Sequence, residues 1–175
     1  MSAGIDPAPV ERAPAAADPG TRVGHVHLRV ADLDRAVAFY RDVLGFDVME
    51  RMPEAAFLSA GGYHHHLGLN TWESRGGRPA PPGSTGLYHV AFLYPTRPAL
   101  ATVLARVLRH GVALDGASDH GVSVAIYLRD PDGNGIELYW DRPRSEWPVD
   151  PSGRLAMTST RVDLRALLSE AAPDA

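Results

Sequence analysis

Residues 129–140 read RDPDGNGIELYW, and the fold follows from how this stretch is taken. Asp130-Pro131-Asp132-Gly133-Asn134-Gly135 is dense in turn formers: Pro holds φ fixed, while Gly and Asn reach left-handed conformations. SVAIYL precedes it and IELYW follows it, both apolar and rich in β-formers, so the spacing predicts a hairpin. In its second strand Ile136 and Leu138 share one face, and Glu137 and Tyr139 share the other. A carboxylate held mid-strand among apolar neighbours needs water, an ion-pair partner or a metal.

Outward from the hairpin, the same arrangement of elements occurs twice. GHVHLRV (24–30) alternates as a strand, with Val26, Leu28 and Val30 on one face and His25, His27 and Arg29 on the other. DLDRAVAFYRDVLG follows with helical apolar spacing, capped by Asp32 or Asp34 and stopped by Gly45. FDVMER, AAFLSA and YHHHLGLNTW supply three further strands. After a Gly- and Pro-rich loop at 73–86 come LYHVAFLY, a helix over 98–109 ending at His110-Gly111, and the strands GVAL, SVAIYL and IELYW. Each half reads βαβββ. A shift of 89 − 25 = 64 residues lays His25-Val26 on His89-Val90 and Val43-Leu44 on Val107-Leu108, as an internal duplication requires. The expected fold is α+β: two βαβββ modules, 22–72 and 86–143, forming a cupped, barrel-like mixed sheet with helices outside. Residues 1–20, Pro- and Ala-rich without apolar period, are expected to be a disordered leader. Residues 144–175 form a polar tail with a short amphipathic helix at 162–171, which docks on the domain or on a partner.

Composition narrows the chemistry. The 175 residues carry 17 Lys+Arg against 21 Asp+Glu, so no basic field invites nucleic acid. Absence of Cys excludes disulfides, thiolate nucleophiles and Cys-based metal sites. No apolar run approaches the ~20 residues of a membrane span, and no signal pattern opens the chain, so a cytoplasmic protein is expected. Any metal must be held by nitrogen and oxygen, and eight His are available. The duplication puts His25 and His89 at equivalent strand positions, and Glu137 stands on the last strand of the second half. Two imidazoles and one carboxylate leave about half of an octahedral shell open, as in non-haem Fe(II) oxygenases.

GHVHLRVADLDRAVAFYRDVLGF, GLYHVAF and DPDGNGIELY resemble the vicinal oxygen chelate superfamily of glyoxalases, fosfomycin-resistance proteins, bleomycin-binding proteins and extradiol dioxygenases. The likeness covers about residues 22–143. GGYHHHLGLNTW and DHGVS…YLRDPDGNGIELYWDRP are most similar to catechol 2,3-dioxygenase-type enzymes. The resemblance implies His25, His89 and Glu137 as metal ligands, with Fe(II) foremost and Mn(II), Ni(II) or Zn(II) as alternatives. It implies Tyr127 as a substrate hydrogen-bond partner and His120 as a supporting histidine, although the interval from His120 to Glu137 is about two residues shorter than the family's. A histidine of the His64-His65-His66 run matches the family's acid–base catalyst, and both His65 and His66 fit. Arg29 and His27, on the face of His25, and Tyr139, on the face of Glu137, are candidate substrate contacts; Arg29 equally suits an acidic partner within the protein. The implied function is ring cleavage of a catecholic aromatic by dioxygen. Alternatives are a glyoxalase- or fosfomycin-resistance-type lyase or transferase, the glyoxalases taking a fourth metal ligand, usually Glu, from the strand that here carries the His run, and a non-catalytic small-molecule binder. A homodimer is expected by the same resemblance.

Overall fold

A computed structural model describes residues 14–173; the first thirteen residues, which hold most of the expected leader, lie outside it. Residues 14–20 are exposed and free of helix or strand. The first module runs β1 (Val26–Arg29), α1 (Leu33–Ala38), β2 (Asp47–Arg51), β3 (Ala55–Ser59) and β4 (Leu67–Asn70). The second runs β5 (Val90–Leu93), α2 (Arg97–Arg109), β6 (Leu114–Asp119), β7 (Ser123–Arg129) and β8 (Gly135–Asp141). The duplication is therefore real at the level of topology: the sheet orders are β1-β4-β3-β2 and β5-β8-β7-β6, each with its first strand parallel to its fourth. The result is two separate cupped sheets, not one continuous barrel-like sheet.

Strand alternation places the core. Leu28 and Val30 of the first strand region, Leu67 and Leu69 of β4, Ile126 and Leu128 of β7, and Ile136 and Leu138 of β8 are all buried. They join Leu33, Val37 and Tyr40 from one helix and Leu100, Leu104 and Val107 from the other in one cluster spanning both modules. Each fully buried Leu or Ile contributes roughly 1.5–3 kcal/mol of apolar transfer. The opposite face of β1, carrying His25, His27 and Arg29, is left open to solvent.

Local signals explain the helix ends. Asp32, not Asp34, caps α1 by accepting from Arg35 N at 3.0 Å. The helix widens to π geometry over Phe39–Val43 and stops at Gly45, whose φ is +85°. Thr96 caps α2, with Pro98 in its first turn. GVAL does not form the sixth strand as expected: Gly111 takes φ +68° at the helix stop, and β6 begins only at Leu114.

The tail is part of the fold. β9 (Thr160–Arg161) adds to the outer edge of β6, and α3 (Leu164–Leu168) buries Leu167. Arg97 pairs with Glu170, and Ala172 N donates to Thr102 Oγ1, so α3 is docked on α2 of its own chain.

The DPDGNG turn joins the modules. Asp130 is buried and accepts from Asp132 N, Asn134 N and Asn134 Nδ2 within the turn, and from the buried Tyr40 hydroxyl of the first module at 3.0 Å. Asp132 Oδ1 accepts from Ala31 N at 3.1 Å and Arg35 Nη2 at 2.7 Å. Only Gly133 of the turn has positive φ; Asn134 does not adopt the left-handed form expected of it. Gly135 serves a different purpose, since a β-carbon there would collide with the Tyr88 carbonyl beside β5.

Two outcomes follow. Tyr40→Phe removes a buried hydrogen bond to a charged group and should cost about 1.5–3 kcal/mol, read as a lower denaturation midpoint with an unchanged m-value. Gly135→Ala should perturb the β5–β8 pairing, seen as faster amide exchange in Val90–Leu93, while leaving the β2–β3 amides protected.

Candidate functional site

On the open face of the second sheet, parallel pairing sets Ala91 opposite Glu137, and antiparallel pairing sets Tyr127 opposite the same Glu137. His89 lies just before β5, and its Nε2 is 2.9 Å from Glu137 Oε2. Its Nδ1 is buried without a hydrogen-bond partner. The other carboxylate oxygen, Oε1, is 3.4 Å from the Tyr127 hydroxyl, which in turn is 2.8 Å from His120 Nε2. His120 Nδ1 is 3.1 Å from the Thr158 carbonyl. A carbonyl only accepts, so Nδ1 carries a proton towards Thr158, and Nε2 is the nitrogen that faces Tyr127. Tyr127 then has one proton and two polar neighbours, His120 and Glu137. Four side chains form a continuous row: His120, Tyr127, Glu137, His89.

This row has an electrostatic cost that keeps Tyr127 a phenol. Burial first, and then the Glu137 carboxylate beside it, push Tyr127 up to about 12. Tyr139, two residues along from Glu137 on the same face, is also raised, by burial first and then by Asp141 and Glu137. A cavity of about 200 Å³, lined by Tyr88, His89, Tyr127 and Ile136 among others, opens beside the row. Arg129 and Asp115 close one side as an ion pair at 2.9 Å.

The first sheet carries the remaining candidates. His25 lies against His65, their ring centroids 4.6 Å apart, and His65 also packs on Phe57 at 5.0 Å. His64 Nδ1 and His65 Nδ1 are 2.8 Å apart. His66 turns elsewhere: its Nδ1 accepts from Ala60 N at 3.3 Å and lies 3.0 Å from Ser59 Oγ. Of the two fitting histidines, then, His65 is the one beside His25. Its pKa is lowered by desolvation first and then by the neighbouring imidazoles, which favours the neutral base. His27 packs on Trp72 at 5.5 Å and on Phe57 at 6.0 Å, and is likewise lowered, by burial and then by His25. Arg29 is exposed and pairs with Glu73 at 3.4 Å, the acidic-partner alternative for this residue.

His89 and Glu137 are thus adjacent, whereas His25 stands on the other sheet with His65. Among the described residues no three His, Cys, Asp or Glu side chains surround a common point that could hold a metal ion. The donor chemistry nevertheless suits a divalent first-row cation: imidazole nitrogen and carboxylate oxygen, with 2.9 Å between them. Two donors about 2.1 Å from one ion at right angles lie at about that separation.

The two modules also differ at one telling position. His27 pairs with Gly68 in the first sheet as Ala91 pairs with Glu137 in the second. The repeat therefore sets Gly68 where the second module has its carboxylate, and a β-carbon at Gly68 would fall 2.8 Å from the His27 ring. The contribution of the tail, through the Thr158 carbonyl on His120, had no signal in the sequence because it is a main-chain group some forty residues away.

The Glyoxalase/Bleomycin resistance protein/Dioxygenase superfamily matches residues 22–138. The chain belongs to this superfamily. Over 152 residues it is 46% identical to the catechol-2,3-dioxygenase of Bacillus subtilis (strain 168), a match covering 86% of this chain and 52% of the relative. It is 33% identical over 120 residues to biphenyl-2,3-diol 1,2-dioxygenase 3 of Rhodococcus globerulus, covering 69% of this chain and 63% of that one. The chain thus spans about half to two thirds of the length of these superfamily relatives. Among solved structures, a glyoxalase/dioxygenase from Nostoc punctiforme shares the fold, with TM-score 0.59 at 21% identity over 75% of this chain and all of that one.

Glu137→Gln should bring Tyr127 down from about 12 towards the ordinary tyrosine value, but not the whole way, because burial is the larger cause and remains. Tyrosinate absorbance in an alkaline titration, with Tyr127→Phe as the blank, measures this.

Proposed function

We propose that this chain is an extradiol ring-cleavage dioxygenase acting on a catecholic aromatic. The observation that carries the reading is the His120–Tyr127–Glu137–His89 row, in which a ligand-type pair is joined directly to an acid–base pair. Similarity to a catechol-2,3-dioxygenase and to a biphenyl-2,3-diol 1,2-dioxygenase supports the same activity. His89 and Glu137 would hold a divalent metal, while His25, the expected third ligand, stands on the other sheet beside His65; Fe(II) is the expected ion, and Mn(II), Ni(II) or Zn(II) suit the donors as well. Such an ion supplies Lewis acidity and a common anchor for two vicinal oxygens and for dioxygen.

The protein's own groups account for the rest. Tyr127, held protonated by its surroundings, turns its one O–H from Glu137 or His120 to an oxygen of the substrate, with His120 at 2.8 Å positioning the phenol. His65 serves as the base for a catechol hydroxyl, with His25 and Phe57 fixing its ring. Tyr139 lines the same face as Glu137, while His27 and Trp72 offer an aromatic wall on the first sheet. A glyoxalase-type site would draw a further carboxylate from β4, but that strand reads Leu67-Gly68-Leu69-Asn70, and Gly68 stands at Glu137's equivalent. This weakens the lyase alternative. The homodimer belongs to the same reading: among the described strands β1 bonds only β4 and β5 only β8, so each leaves one edge for a second copy.

Anaerobic loading with Fe(II), followed by catechol and oxygen, should give a yellow ring-fission product. Bound iron without colour would overturn the dioxygenase while sparing the metal site. Glu137→Ala should abolish metal retention and turnover together. Tyr127→Phe and His65→Ala should retain metal and lower kcat by about 10²-fold or more, the usual scale for a lost acid–base group. Unchanged ligand affinity in Glu137→Ala, with no turnover in the parent protein, would instead indicate a binding protein.

A further inference from the structure

Between the modules lies a second cavity, of about 880 Å³, that includes none of His25, His89, Glu137, Tyr127 or His120 in its lining. Leu44 and Phe46 at the end of the first helix form one wall, and Phe92 and Val103 of the second module form the other. Phe46 and Phe92 meet at 5.0 Å across it. Its size falls in the range of roughly 300–1,000 Å³ typical of small-molecule sites.

The charges in this cavity all have one sign. Arg22 and Arg106 line it, and no Asp or Glu among the described residues does. Neither guanidinium has an ion-pair partner among the described residues, as is also true of Arg78, Arg109, Arg144, Arg161 and Arg165; what sets Arg106 apart is that it is half-buried against the cavity wall. Arg106 is also seated: it packs against the backbone of Gly45, where a β-carbon would collide with its guanidinium. Gly45 therefore serves both as helix stop and as the floor under this charge. Tyr94, beside Arg106, is pushed up by burial and so remains a hydroxyl donor. A half-buried cation without a counter-ion, set in apolar walls beside a donor, is complementary to an anion carrying an apolar body.

We propose that this inter-module cavity binds a small organic acid, with an aromatic or aliphatic body resting against the Phe46–Phe92 pair and its carboxylate or sulfonate on Arg106. The cavity includes neither His89 nor Glu137, although His66 and Ala91, the strand partner of Glu137, line it, and the proposal stands whether or not the candidate metal centre cleaves catechols.

The test uses full-length protein and the aromatic sulfonate 8-anilinonaphthalene-1-sulfonate, with uncharged N-phenyl-1-naphthylamine as the matched probe. Saturable binding of one sulfonate per chain is expected. Arg106→Met should weaken the sulfonate at least tenfold and leave the neutral probe within twofold. Ala99→Phe, which fills the cavity from a half-buried helix position, should remove both, with circular dichroism showing that the variant is folded. Equal sulfonate affinity in Arg106→Met, or undiminished binding in folded Ala99→Phe, overturns the proposal. Displacement of the sulfonate by catechol would assign the cavity to the dioxygenase substrate and overturn it as well.

Discussion

The Asp130 carboxylate is the constraint on which the arrangement depends. Both of its oxygens are satisfied, three times from within its own turn and once by a tyrosine hydroxyl of the other module. A buried carboxylate is tolerable only when so fully hydrogen-bonded. The turn it closes is the one from which β7 and β8 diverge. Tyr127 and Glu137 face each other ten residues apart because that turn is rigid. Tyr40 and the Asp132 contacts to Ala31 and Arg35 then tie this hairpin to the start of α1. The same residues thus shape the site and join the modules.

Duplication gave the molecule two sheets of one plan, and their functions differ where the repeat is broken. In the second sheet the position opposite the first strand holds Glu137, with Tyr127 beyond it. In the first sheet the same position is Gly68, because the His27 ring occupies the space a side chain would need. One sheet therefore concentrates a carboxylate and its proton partners, while the other gathers imidazoles and aromatic rings: His25, His65, His27, Phe57 and Trp72. The C-terminal tail completes the second sheet as an added strand, and the Thr158 carbonyl accepts from His120 Nδ1. A segment outside the repeat thereby reaches the side-chain row through His120.

Much of this was legible in the residues themselves. The hairpin, a helix cap at Asp32 or Asp34, the helix stop at Gly45 and the doubled βαβββ order all follow from local rules of turn chemistry and side-chain alternation. Such rules act over a few residues, so a sequence displays them directly. The choice between His65 and His66 was not legible, because residues 63–66 approach β4 without regular strand geometry and alternation does not apply to them. Nor was the exposure of Arg29, whose partner Glu73 lies in a loop with no period to place it.

By itself, the sequence determined most of the secondary elements and the repeat, since each is encoded in the pattern of residues along the chain. The tertiary structure alone decided which of those residues touch. It set His89 on Glu137, His25 on His65, and the tail on His120. It also turned the helix-stopping Gly45 into a seat for Arg106 and left that charge without a counter-ion among the described residues. Contacts of this kind join residues tens of positions apart, and only strand pairing within each module, the tail's addition to the second sheet and, for Gly45 and Arg106, the packing of one module on the other bring them within reach.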